Sequence, residues 1–408
     1  MQQENINKIE ENNAPDEKKS PAFPAGFLWG AAISSYQTED NNSNSDWYAL
    51  EMKIKQAGES EINCDYWNQW REYHNLLSEL GAKAFRLSLE WPRLEPEEGR
   101  FSNKNFQHYR EILHDLKDRN IKTVVTFWHW TSPVWFQEKY GFHKKESVEI
   151  FSRYGKKIID ELGDLIDIAV ILNEPMMPLT FGFLLGKFPP YRRCFFKYKK
   201  AFRHLSEAYK IIYDYSKKKF PAVPVGVTIL YNYFEPANKN NPLHRLIVGV
   251  YKKFWNESFF NSIKDKADYF GLDYYFHYRL ALTGRKNENK KISDMGWEIY
   301  PEGIYEVLKE IKAKYNLPIY ILENGLADKD DKYRAEFIRD HLKYVRQAIE
   351  GGIDVRGYFY WSLMDNFEWL HGYAPKFGLV AVDSKTLERK PRKSFYFYKS
   401  IIEKNGLE

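Results

Sequence analysis

Residues 167–175 read DIAVILNEP, and the reading of this stretch decides the fold. Five apolar residues in a row, Ile168 to Leu172, lack the alternation of a strand with one wet face, and they stop at Asn173-Glu174-Pro175. An unbroken apolar run of that length suits a strand covered on both sides, as in a parallel sheet under helices. The same design returns at residues 318–325, PIYILENG, where the run stops at Glu323-Asn324-Gly325. Working outward, similar runs occupy 27–34, 83–90, 121–129, 225–231, 268–275 and 355–362. With 167–173 and 318–323 they predict eight strands.

Helical periodicity follows each run in turn, at 62–80, 104–119, 146–162, 199–218, 243–264, 302–315, 333–350 and 393–404. In the first, Trp70, Tyr73, Leu77 and Leu80 share a face, and in the seventh Ile338, Leu342, Val345 and Ile349 do. Gly81, Gly163 and Gly351 stand where helices should stop in the left-handed conformation. Eight strand–helix units predict an α/β fold, a single (β/α)8 TIM barrel. An open doubly wound sheet is the alternative, but Gly30-Ala31-Ala32 after the first strand lacks the glycine-rich turn of a dinucleotide site. Residues 1–20 read as a flexible polar tail and 21–408 as the catalytic barrel.

Composition narrows the function classes. Seventeen per cent of the 408 residues are aromatic and 43% apolar, which excludes a disordered chain. Two cysteines, Cys64 and Cys194, make neither a disulfide scaffold nor a zinc cluster, and fit a reducing compartment. The N-terminus has no apolar signal core and no run reaches a membrane span, so a soluble cytoplasmic protein is expected. A net charge of +5 at this size does not imply nucleic-acid binding. Residues 187–204, KFPPYRRCFFKYKKAFRH, interleave basic and aromatic residues. They read as a loop entering a helix with a solvated basic face, ahead of a polyanion or membrane patch.

In such a barrel the chemistry sits at the C-terminal strand ends. Glu174 and Glu323 close strands four and seven, where a carboxylate costs desolvation and does no packing. One such residue is as well explained by a buried ion pair. Two on nearly opposite strands, each beside an Asn, point to glycosidic bond hydrolysis, one carboxyl protonated for the leaving oxygen and the other ionised. Gln37, His129, Trp130, Trp361, Glu368 and Trp369 fall at the same mouth and offer hydrogen bonds for hydroxyls and flat faces for a pyranose ring. Trp29 and Trp128 also lie near strand ends and are expected to share in sugar stacking.

From Phe23 to Lys404 the chain resembles the glycoside hydrolase family 1 β-glycosidases. The resemblance is carried by Phe27-Leu28-Trp29-Gly30, Ser35-Tyr36-Gln37, FRLSLEWPRL (85–94), Asn173-Glu174-Pro175, Glu323-Asn324-Gly325 and GYFYWSLMDNFEWLHGYAPKFGLVAVD (357–383). It implies Glu174 as acid/base and Glu323 as nucleophile of a retaining double displacement, with carboxyls about 5–5.5 Å apart. It further implies Arg86 and Tyr275 as supports of the nucleophile, Gln37, His129, Asn173, Glu368 and Trp369 as glycone contacts, and Trp361 as the sugar platform. Neither cofactor nor metal is implied, and the expected partners are small β-glycosides or oligosaccharides, without nucleic acid or membrane. The expected activity is that of a β-glucosidase, with β-galactosidase and β-fucosidase activity and transglycosylation open.

The chain departs from the family at Asp273, where Asn is usual, so an altered pH optimum is expected. Trp128 replaces a His, Asp40 a Gly, and Ile171 and Leu322 threonines. Two other readings stay open: a glycan-binding pseudoenzyme on the same barrel, opposed by the presence of both glutamates, and a 6-phospho-β-glycosidase, opposed by Glu368 where a cation would be needed. The chain is short for the family, which predicts an open aglycone side and looser aglycone than glycone selectivity.

Overall fold

A computed structural model describes residues 22–40, 42–56, 64–383 and 386–407. The tail read at 1–20 lies outside the described residues. All eight strands form: β1 (Leu28–Ala32), β2 (Ala84–Ser88), β3 (Lys122–Trp128), β4 (Ile168–Leu172), β5 in two pieces (Val225–Gly226 and Thr228–Leu230), β6 (Phe270–Asp273), β7 (Ile319–Asn324) and β8 (Val355–Trp361). Every neighbouring pair is parallel, and β8 lies beside β1 from Leu28 opposite Gly357 to Ala32 opposite Trp361. Closure falls on β5: its first piece pairs with β4 and its second with β6. The break at Val227 is the difference from the continuous strand predicted at 225–231. By switching partners there, the chain joins both ends of the sheet into a barrel.

Inside the barrel, Ala84, Val124, Ile168, Tyr320 and Phe359 form one apolar cluster, and a larger one fills the space between strands and helices. A helix follows each strand: Tyr66–Leu80, Asn103–Asp118, Ser147–Leu162, Phe195–Lys219, Pro242–Tyr251, Glu302–Tyr315, Arg334–Glu350 and Lys393–Lys404. The single helix predicted at 243–264 is interrupted by a π-helical segment, Lys252–Glu257, before Ser258–Ile263. Gly81 does cap its helix with φ +76°. Gly163 and Gly351 do not, since their φ values are −59° and −77°. A Cβ on Gly163 would lie 2.2 Å from the Phe220 ring, so close packing explains it, and the left-handed turn after the seventh helix belongs to Gly352 at φ +83°.

Three features had no periodic signal. A three-stranded sheet joins Tyr233–Pro236, His277–Ala281 and Gly284–Arg285; a two-stranded one joins Val380–Val382 and Arg389–Pro391; and Tyr48–Gln56 is helical. The basic-aromatic segment enters the helix Phe195–Lys219, which buries Tyr198, Ala201, His204 and Leu205 and exposes Lys199 and Lys200, as a solvated basic face would. Phe196 on that face is 76% exposed. Among the described residues no helix is long and apolar enough to cross a membrane.

Candidate active site

Because the strands are parallel, their C-terminal ends share one mouth, and β4, β6 and β7 bring Glu174, Asp273 and Glu323 together there. One carboxylate oxygen from each lies within 4.8 Å of the other two. Asp273 and Glu323 are register partners across β6 and β7. Gly325 follows because a Cβ there would come within 1.7 Å of the Trp361 carbonyl oxygen.

The three carboxyls have unlike surroundings. Arg86 Nη1 donates to Glu323 Oε1 at 2.6 Å and the Tyr275 hydroxyl to Oε2 at 2.9 Å. Burial lifts the Glu323 pKa, and the Arg86 charge with these two donors works against the lift. At Glu174 burial lifts the pKa well above the usual range, and the charges of Glu323 and Asp273 add to it, against a smaller pull from Arg86. No Arg, Lys or hydroxyl side chain donates to Glu174 among the described residues; its backbone N–H donates to Thr228 O and Oγ1, both at 3.1 Å, and its carbonyl accepts from Met177 N–H at 2.9 Å. Of the two, Glu174 is thus the one whose surroundings favour the proton more strongly.

Asp273 is the third case. It is wholly buried, and burial followed by the Glu323 charge raises its pKa well above the ordinary value, against the Arg86 charge and contacts with the side chains of Thr228 and Glu174. These carboxylates are near enough to share an ion, yet Arg86 already supplies positive charge and burial favours protons on Glu174 and Asp273. The arrangement is suited to holding protons.

A cavity of about 240 Å³ opens over these groups, walled by Trp130, Trp361 and Trp369 with His129 and Glu368 between them. His129 is held neutral by burial and by the Arg86 charge. Its Nε2 sits 3.2 Å from Asn173 Nδ2, which assigns Nε2 as acceptor and leaves Nδ1 carrying a hydrogen with no partner. Glu368 Oε2 is likewise buried without a partner, and burial with the Glu323 charge raises that carboxyl to about 8. Unpartnered buried polar atoms beside stacked rings are what a polyhydroxylated ligand would satisfy. Glu174, Trp130 and Trp369 have φ of +39°, +72° and +50°, a backbone region costing non-glycine residues on the order of 1–3 kcal/mol each.

Two expected contacts stand differently. Gln37 does not line the cavity; its amide donates to Phe367 O at 2.6 Å and its oxygen accepts from Ser34 Oγ at 2.6 Å. Asn173 lines it, but its Oδ1 already accepts from Arg86 and Thr228. Sequence reasoning missed Trp297, a wall residue packed on Phe276 with ring centres 4.5 Å apart. It sits in an irregular loop, where no periodicity marks it.

The model for glycosyl hydrolase family 1 matches residues 19–269 and 250–407. The chain belongs to this family. A family 1 relative, β-glucosidase A of Thermotoga maritima, is 32% identical over 440 residues, covering 95% of this chain and 99% of its own. A β-galactosidase of Sulfolobus acidocaldarius is 27% identical, covering 95% and 96%. Among solved structures, the family 1 β-glucosidase of T. maritima superposes with a TM-score of 0.89 at 30% identity over 95% of this chain and 99% of that one. A β-glycosidase from Pyrococcus horikoshii superposes at 0.88 with 36% identity over 95% and 96%. The T. maritima enzyme has also been solved in complex with cyclophellitol.

As a family 1 glycoside hydrolase the chain accounts for some of its own departures. Asp40 has φ +57°, a left-handed position that a Gly fills without strain and that Asp tolerates better than most residues. Trp128 is directed away from the site and packs on Phe142 at 5.0 Å, and Trp29 sits at the start of β1 among Phe23, Phe27 and Tyr398. Both are core residues, which corrects their reading as sugar-stacking surface.

Proposed function

We propose that this family 1 enzyme hydrolyses terminal non-reducing β-D-glycosyl residues, β-glucosides foremost, with Glu323 as nucleophile and Glu174 as acid/base. The observation that carries this is the asymmetry of two close carboxyls, one held by Arg86 and Tyr275 and the other without a cationic donor. Glu323 attacks the anomeric carbon while the bond to the aglycone oxygen breaks and that oxygen takes the Glu174 proton. Esterification removes the Glu323 charge, so the Glu174 pKa falls and its carboxylate accepts a proton from water. That water attacks the anomeric carbon and expels Glu323, and an alcohol in its place gives transglycosylation. An inverting route needs carboxyls about 6.5–9.5 Å apart to seat the water, wider than the spacing here.

His129 Nδ1, Glu368 Oε2 and the Asn173 amide would bind glycone hydroxyls on Trp361, while Gln37 would act from behind by fixing the Phe367–Glu368 segment. Among the described residues no Lys or Arg lines the cavity, which supports a neutral glycone over a 6-phosphate. With its pKa near 8, Glu368 disfavours phosphate less by charge than by standing where a cation would be needed. Small glycosides as substrates and a cytoplasmic location complete the reading. A panel of 4-nitrophenyl β-D-glycosides, plain and 6-phosphorylated, tests it, with NMR of the first-formed sugar. Turnover of neutral glycosides with the β-anomer appearing first is expected; turnover of phosphorylated substrates alone, or the α-anomer first, would sink it.

Asp273 would raise the pKa of Glu174. At the alkaline pH where Asp273 is ionised, Asp273→Asn removes its negative charge and gains an amide donor, and both favour ionised Glu174. The alkaline limb of kcat/KM, which reports the free enzyme's acid, should move to lower pH while activity on the acid side survives. A limb that stays in place or moves upward would refute this role.

A further inference from the structure

Residues 187–204 read in sequence as a solvated basic face, but their apolar side chains depart from it. Phe195 is 53% and Phe196 76% exposed, and Leu185 and Tyr191 just before them are exposed as well. The helix Pro242–Tyr251 turns Leu243, Leu246 and Val250 to solvent, at a spacing that puts them on one face. Ring contacts join the two regions: Phe195 stacks on Tyr198, Tyr198 lies 6.2 Å from Phe254, and Phe254 lies 5.4 Å from Trp255, both in the π-helical segment that continues the helix. Single exposed apolar residues are ordinary, whereas many at one place mark a contact with something apolar.

The charge is as uneven as the polarity. Between Pro175 and Ser206 the chain has seven Lys and Arg and no Asp or Glu; between Pro236 and Asn256 it has four more cations and again no acid. The whole chain carries only +5, so everything outside these two segments is net negative. Surface cations elsewhere are paired, as Lys219 with Asp160 and Lys266 with Asp214, but among the described residues none of the seven has a carboxylate at ion-pair distance. His143 feels this field: burial first, then the charges of Lys197, Arg192, Lys144 and Lys200, lower its pKa to about 4. Lys199 Nζ lies 4.8 Å from the centre of the Phe195 ring, so cations and exposed rings share one surface.

The side chains discriminate among partners for such a surface. A second copy of this chain, meeting it across a two-fold axis, would set these cations against themselves. A nucleic acid answers the charge and stacks on rings, but Leu185, Leu243, Leu246 and Val250 have no ring to offer its bases. An anionic lipid surface answers both, since headgroups meet the cations while Phe and Leu side chains enter the boundary with the acyl chains.

We infer that this surface docks the enzyme on an anionic lipid bilayer, with Phe195 and Phe196 inserting beside Lys199 and Lys200. The contact is peripheral, as no helix among the described residues is long and apolar enough to cross a membrane. Phe181 and Phe188, in the chain leading into this surface, line the catalytic cavity, so the docked molecule holds its catalytic mouth beside the membrane. Docking does not depend on which bond the active site cleaves.

The test mixes the full-length protein with vesicles of phosphatidylcholine, alone or with about one-third phosphatidylglycerol, and reads the bound fraction by flotation. Anionic vesicles should bind about tenfold or more tightly than neutral ones, and added salt should weaken that binding. Phe195→Ser with Phe196→Ser should weaken it about 10–100-fold, from apolar surface no longer buried. Lys199→Glu with Lys200→Glu should weaken it about 30-fold or more, while Lys104→Glu with Lys343→Glu, the same charge change on other helices, should stay within about twofold of the parent. All six side chains are exposed, so every variant should melt with the parent. Anionic vesicles binding no better than neutral ones, or binding untouched by both the Phe and the Lys199/Lys200 variants, would overturn the assignment. So would a dimer that dissociates when Phe195 and Phe196 are replaced, without lipid binding, which gives the surface to a second copy. A single-stranded oligonucleotide bound ahead of the vesicles, with loss on changing the lysines and not the phenylalanines, would overturn it equally.

Discussion

Glu323→Gln should lose roughly 10⁴–10⁶-fold in kcat, the scale at which removing a covalent nucleophile leaves only binding and polarisation. The amide keeps the shape and an oxygen that can accept from Arg86, so the barrel should remain folded. What disappears is the electron pair that attacks the anomeric carbon and the charge that raises the Glu174 pKa. Intact mass after a 2-deoxy-2-fluoro-β-glycoside with a good leaving group gives the decisive readout, because the fluorine slows release of the glycosyl–enzyme. The parent should gain the mass of one sugar and the variant none. A sugar adduct on the variant, or activity within tenfold of the parent, would remove Glu323 from its assigned role.

Glu174→Gln should lose about 10²–10⁴-fold with alkyl or sugar aglycones, the usual contribution of a positioned acid. The loss should depend on the leaving group: dinitrophenolate departs without a proton, so its glycosylation step should be nearly intact. Release then becomes slow, because no carboxylate takes the proton from water, and the glycosyl–enzyme accumulates. Azide needs no base and should restore turnover, giving the β-glycosyl azide. An equal loss for all leaving groups, with no azide product, would mean that Glu174 is positioning substrate and not moving a proton.

Much of this was legible because a parallel barrel writes itself plainly. Runs such as Ile168–Leu172 are apolar without alternation, and a Glu closing such a run has no packing reason to be there. The break in β5 was not legible, since Val225, Val227 and Ile229 are apolar on either side of the change of partner. Trp29 and Trp128 misled because a tryptophan near a strand end serves either core or sugar, and only the direction of the ring decides. Gln37 shows what stays hidden at the site itself: its amide donates to the Phe367 carbonyl at 2.6 Å and its side chain meets Glu368, links that no spacing in the sequence marks. The small sheet containing Phe234 had too few residues per strand to display a period.

The switch of partners at Val227 also bears on how the molecule meets its own copies. A sheet closed on itself has no first or last strand, so none of the eight barrel strands lies at an edge open to another chain. The free edges among the described residues belong to the two small sheets, where Gly284–Arg285 is two residues long and exposed and Arg389–Pro391 carries two cations and a proline. Short, charged or proline-ended edges template poorly. The chain can thus keep strands as apolar as IAVIL and still resist edge-to-edge aggregation, a property gained from closure and not from polar residues placed along the strands.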